Sequence, residues 1–151
     1  MAPESPIELE ALEVYLQPSL VSQREWETLY KIITKYLRTV GKEDMVRYPE
    51  KATVIRKIEE WHIHIQIKRT FTTDVILLYS DLSSFLNQSE ALILLGVSNE
   101  HGRISTPLII DLIVLIQTNI PGIIRVKGYL HPGDWGAAIL RLQRKGLLSK
   151  K

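Results

Sequence analysis

The spacing of apolar residues changes along this chain, and each change marks a different element. Between Ser22 and Gly41, the residues Trp26, Leu29, Tyr30, Ile33, Tyr36, Leu37 and Val40 recur at three- and four-residue intervals, with Arg24, Glu27, Lys31, Thr34, Lys35 and Arg38 between them. That period predicts an α-helix with one apolar stripe and one wet face. Ser22 followed three residues later by Glu25 forms a capping box, Val21 and Trp26 can staple the first turn, and Gly41 fits the position after the last. Further on the period falls to two. Trp61, Ile63, Ile65 and Ile67 alternate with His62, His64, Gln66 and Lys68, the pattern of a half-buried strand. Residues 74–79 and 91–97 contain unbroken apolar runs, as strands do when both of their faces are covered.

The remaining elements follow from local signals. Ser5-Pro6-Ile7-Glu8 has the form of a second capping box and predicts a helix over residues 6–17, although Ile7, Leu9 and Ala11 also alternate with Glu8 and Glu10 as a strand would. Residues 69–73 are short enough to join the two middle strands as an antiparallel hairpin. A short helix is expected over 83–88, and an apolar one over 106–118, with Thr106 as its cap and Pro107 at its first position. A strand over 123–130 and a helix over 134–145, capped by Asp134 and stopped by Gly146, complete the chain. Alternating strands and helices in the second half imply parallel crossovers, while the hairpin implies antiparallel pairing. The expected architecture is α+β, a mixed β-sheet packed against several helices in a single domain spanning 1–151.

Composition narrows the function classes. With 45% hydrophobic and 24% charged residues the chain matches ordinary globular usage. Nineteen basic against seventeen acidic side chains give a formal net charge of +2, too small for a general nucleic-acid or anionic-membrane footprint, so any basic surface must be local. Without cysteine there is no disulfide framework, thiolate zinc site or cysteine nucleophile, which suits a reducing compartment and makes the cytoplasm the expected location. The first six residues lack the basic and apolar regions of a secretory signal. The longest apolar stretch, residues 108–116, is interrupted by Asp111 and is far shorter than the roughly 20 residues that span a bilayer, so no membrane partner is expected.

Four local features could carry chemistry. His62 and His64 project to one face of their strand and could share a metal ion, with His101, His131 and Glu100 as further donors in predicted loops; the competing reading is a solvated strand face shared with Gln66 and Lys68. Glu59-Glu60 followed by Gln66-Ile67-Lys68 resembles the carboxylate, Glu/Gln-x-Lys arrangement of the restriction-endonuclease-like nuclease superfamily, with glutamine standing where glutamate is usual. That resemblance implies a divalent cation on the acidic groups and a lysine steadying the attacking water. Residues 135–148 resemble the end of a winged-helix recognition helix, which implies DNA contacts through Arg141, Arg144 and Lys145, with Lys150 and Lys151 beyond. An ordinary amphipathic helix with basic residues at its negative end accounts for the same side chains. Last, the loop over 96–102 follows a strand and carries Ser98, Glu100 and His101, but its glycines match no nucleotide fingerprint.

These signals imply no cofactor and no complete catalytic set. The function they favour is a small, non-enzymatic regulatory, adaptor or accessory domain that acts by protein–protein interaction, with another protein or a second copy as partner. The alternatives are DNA or RNA binding through Arg141, Arg144 and Lys145, and a metal-dependent hydrolase or nuclease built on His62 and His64.

Overall fold

Alternation, wherever it occurs in this sequence, resolves into one sheet. The structure, a computed structural model, describes residues 11–41, 52–70, 72–97 and 106–148. In chain order it contains β1 (Ala11–Leu16), α1 (Gln23–Thr39), β2 (Thr53–Ile58), β3 (His62–Lys68), β4 (Thr73–Tyr79), β5 (Ala91–Val97), α2 (Pro107–Asn119), β6 (Ile124–Lys127) and α3 (Pro132–Arg144). The strands lie in the order β2-β3-β4-β5-β1-β6, and every neighbouring pair is antiparallel. The protein is therefore α+β, with its buried residues joined in one hydrophobic core. The helical crossover through α2 does join two strands that run the same way. They are not neighbours, because β1 lies between β5 and β6 and is antiparallel to both, a split β-α-β arrangement.

Several elements depart from the sequence expectation. Residues 11–16 form a strand, with Leu12, Val14 and Leu16 buried; the slot between β5 and β6 rewards the alternation and overrides the capping signal, whose residues Ser5 and Glu8 lie outside the described segments. The helix expected over 83–88 is one 3-10 turn, Leu82–Ser84, capped by Asp81. Within β5 both Ile93 and Leu94 are buried, because the register against β1 shifts between Val14 and Tyr15 and turns consecutive side chains to the same face. Gly128, just after β6, has φ of 107°, and a Cβ there would stand 2.6 Å from the Ala11 carbonyl oxygen, so only glycine lets the chain leave β6 this close to β1.

Among the described residues, the helices pack on one face of the sheet. That face carries Leu12, Val14 and Leu16, Ile63, Ile65 and Ile67, and Ile76 and Leu78. α1 begins as its capping box predicts, with Ser22 Oγ accepting from the Glu25 amide at 3.1 Å. It is then pinned to one end of the sheet by three side chains: Trp26 Nε1 donates to the Tyr79 carbonyl at 2.7 Å, the Tyr30 hydroxyl to that of Glu59 at 2.7 Å, and Gln23 Nε2 to that of Ser80 at 2.8 Å. α2 is buried along nine consecutive residues, 108–116, since β5, α1 and α3 enclose it. α3 is capped by His131, whose Nδ1 accepts from the Gly133 amide at 2.9 Å; Asp134, the expected cap, sits inside the first turn. It ends in a Schellman motif, with Gly146 at φ of 74° and the Leu147 amide returning to Leu142. Among the described residues no helix is long and apolar enough to cross a membrane.

Two buried carboxylates tie these layers together. Asp111, the one charge in the apolar run of α2, accepts from the Tyr36 hydroxyl at 2.5 Å and from Arg141 Nε at 2.9 Å, joining all three helices. Asp74, at the start of β4, accepts from the Val97 amide at 3.0 Å and from the Thr106 hydroxyl, and pairs with Arg69 Nη1 at 3.0 Å. Thr106 thus faces β4 and makes no side-chain cap on α2.

The phenols have a consequence at high pH. Burial, reinforced by the Glu59 charge and opposed by Arg38, pushes Tyr30 up to about 12; burial and then Asp111 push Tyr36 higher still. An acid whose folded pKa is raised stabilises the fold below its unfolded value of 10.0, and that stability is lost as pH climbs toward the folded value. The melting temperature is expected to fall progressively above about pH 10, and to fall less in a Tyr30→Phe, Tyr36→Phe double variant. Thermal melts followed by circular dichroism across that range check it; identical slopes for both proteins would contradict the assignment.

Candidate functional site

The side of the sheet away from the helices is built by the other half of each alternation. Pairing places Gln66, Val75, Leu95 and Glu13 across one row, and His64 beside Leu77 in the next. Val97 and Leu92 extend the surface on β5, and Ile55 on β2. Six aliphatic side chains, Ile55, Val75, Leu77, Leu92, Leu95 and Val97, consequently belong neither to the core nor to the residues packed against it. Ile55 and Leu92 are 41% and 44% exposed, and the other four are half-buried.

An antiparallel sheet with one free face normally presents polar residues there. Here the unbroken apolar runs of β4 and β5 are those of strands covered on both sides, and the described helices cover one. This corrects the expectation that the fold itself buries both faces: β4 alternates between buried and half-buried positions along its whole length.

The rim is polar and mostly basic. Lys57 and Lys68 stand on the β2–β3 side, and Arg125 and Lys127 on β6. Arg125 pairs with Glu90, and both β6 cations lie over the Tyr15 ring, at 5.7 and 5.2 Å from its centroid. The Tyr15 hydroxyl donates to Glu13 at 2.7 Å, and this bond, with lesser contributions from burial and the carboxylate charge, raises its pKa. Among the described residues, four cations thus surround an aliphatic centre against two carboxylates.

The residues singled out from sequence fall in three places. His62 and His64 both lie on this open face, but His62 stacks on Trp61 with centroids 3.5 Å apart, and its Nδ1 stands 3.5 Å from Glu59, beyond a good hydrogen bond. Among the described residues no group of three histidine or carboxylate donors could hold a metal ion, and Glu100 and His101 lie outside them, as does Ser98. Glu59 and Glu60 sit in the turn before β3 while Lys68 closes it, so the elements of the nuclease-like arrangement are separated by the strand's length, roughly 25 Å from Glu60. Arg141 and Arg144 are on α3 and Lys145 is its C-cap, outside the sheet. Arg141 is held by Asp111, Arg144 is exposed, and Lys145 Nζ reaches Thr39 Oγ1 at 3.4 Å. Lys150 and Lys151 lie outside the described residues.

The fold and this surface define the class: an α+β domain with helices on one side of an antiparallel sheet and an apolar, basic-rimmed face on the other. Comparison with protein-family models, with curated proteins and with solved structures returned no match, so the functional reading rests on this geometry.

Proposed function

We propose that this protein is a small, non-enzymatic regulatory or adaptor domain that binds another protein through the open face of its sheet. One observation carries the reading: β4 and β5 have the sequences of doubly covered strands, and the described helices cover them on one side. Contiguous exposed apolar surface bounded by polar residues is characteristic of interaction sites. Six strands about 4.8 Å apart and about 20 Å long give a face of roughly 500 Å² in projection, which with side-chain relief approaches the ~800 Å² per partner of a standard interface.

The rim narrows the occupant. A second copy of the chain would set Lys57, Lys68, Arg125 and Lys127 against the same cations, whereas a partner presenting apolar side chains between aspartates or glutamates would satisfy both centre and rim. Nucleic acid fits the cations but not the aliphatic centre, since single strands bind through aromatic stacking platforms. The cysteine-free composition is consistent with work in a reducing cytoplasm.

Selection from a displayed library of random peptides tests the proposal. Enriched peptides should carry two or more large apolar residues flanked by acidic ones, and should compete for one site. Enrichment of basic peptides, or selection of oligonucleotides in preference to peptides, would overturn it.

A further inference from the structure

A second concavity of the described surface lies elsewhere, along α1. It is a groove of about 780 Å³ between that helix, the turn before β3 and the end of β4, within the 300–1,000 Å³ typical of small-molecule sites. From its position and lining we propose that it binds a phosphate-bearing ligand of mononucleotide size.

Lys31, Lys35 and Arg38 line one wall. At positions i, i+4 and i+7 they share one side of the helix and spread over about 10 Å of its length. Cations on an exposed helix commonly have no role beyond solvation, and those near a C-terminus complement the helix dipole. Two features separate these from that case. They line a concavity, and among the described residues none is paired with a carboxylate, although Glu27 stands one turn before Lys31 where an ion pair would form. Glu27 instead accepts from Gln23 Nε2 at 2.9 Å.

Thr39 closes the end of the groove nearest Lys35 and Arg38. Beyond it, Lys145 Nζ stands 3.4 Å from Thr39 Oγ1 and lines a separate concavity with Asp111 and Arg141. Glu27, Glu60 and Ser80 occupy the other end. The groove is polarised. Its basic end suits a phosphate ester, and its carboxylate end suits hydroxyl or amino donors, which in a nucleotide are carried by the sugar and base.

The full chain should be titrated at low salt with AMP, with adenosine and with a single-stranded oligonucleotide lacking a terminal phosphate, followed by backbone amide shifts. A Lys35→Gln, Arg38→Gln variant, altered at two exposed positions and checked by circular dichroism, serves as the comparison. The expected result is saturable AMP binding at one site, shifts centred on residues 27–39, at least tenfold weaker binding of adenosine, and a tenfold or greater loss in the variant. Three results would overturn the proposal: no AMP binding at millimolar concentration, AMP binding unchanged in the variant, or oligonucleotide binding tighter than AMP with shifts spread beyond the groove.

Discussion

Replacing Asp111 with alanine should lower the melting temperature by roughly 5–15 °C. The carboxylate is buried in the middle of α2, where nine consecutive residues are excluded from solvent, and it accepts from both Tyr36 and Arg141. Removing one partner of a buried ion pair costs about 3–5 kcal/mol because the other charge is left unsatisfied. Arg141 keeps 35% of its side chain exposed and can recover some hydration, so about 2–4 kcal/mol is the better expectation here. Tyr36→Phe removes one hydrogen bond without stranding a charge and should cost only about 1 kcal/mol. Thermal melts of both variants test the ordering. A loss for Asp111→Ala no greater than that for Tyr36→Phe would mean that Asp111 does not hold the three helices together.

The second large effect is on binding, with the fold left intact. Leu77→Glu combined with Leu95→Glu should weaken binding of acidic-apolar peptides by at least 100-fold while changing stability by about 1–2 kcal/mol. Both side chains are half-buried on the open face and outside the core, so the packing of the helices does not depend on them. Each substitution removes apolar contact at the centre of the surface and adds a charge that repels an acidic partner. A double variant that keeps full affinity would place the binding surface elsewhere.

How far the sequence foretold this structure depends on whether a residue's partner is local. α1 was largely legible because its cap, stripe and wet face lie within twenty residues, although Thr34, expected on the wet face, is buried and donates to the Tyr30 carbonyl. The alternation of β3 was equally plain, as was the ending of α3 at Gly146. β2 escaped notice because an arginine occupies an inward position of its alternation; Arg56 lies opposite Ile65 and donates to the Val40 carbonyl at 2.7 Å, a partner no local pattern reveals. Thr106 and Asp134 both look like caps, yet Thr106 is claimed by Asp74 and the cap of α3 comes from His131. Arg141 read as a free basic residue because its acceptor is thirty positions away.

The candidate surface shows the same limit in a more useful form. The apolar runs of β4 and β5 correctly announced strands, and they led to the expectation of cover on both faces. Nothing in the pattern could say that the described helices would cover one face. The apolar runs behind the proposed interaction face were therefore present in the sequence, but they acquired that reading only when the described helices were found packed on one side.

The most direct test is site-specific photo-cross-linking from that face. A benzophenone side chain at position 77, with a control at exposed Leu140 on α3, would be irradiated in extract from the source cells and the attached peptide sequenced. The account predicts a discrete protein adduct at 77, through a segment that places apolar residues between acidic ones, and its absence at 140. Adducts common to both positions, or cross-linking at 77 to nucleic acid or to a second copy of the chain, would contradict it.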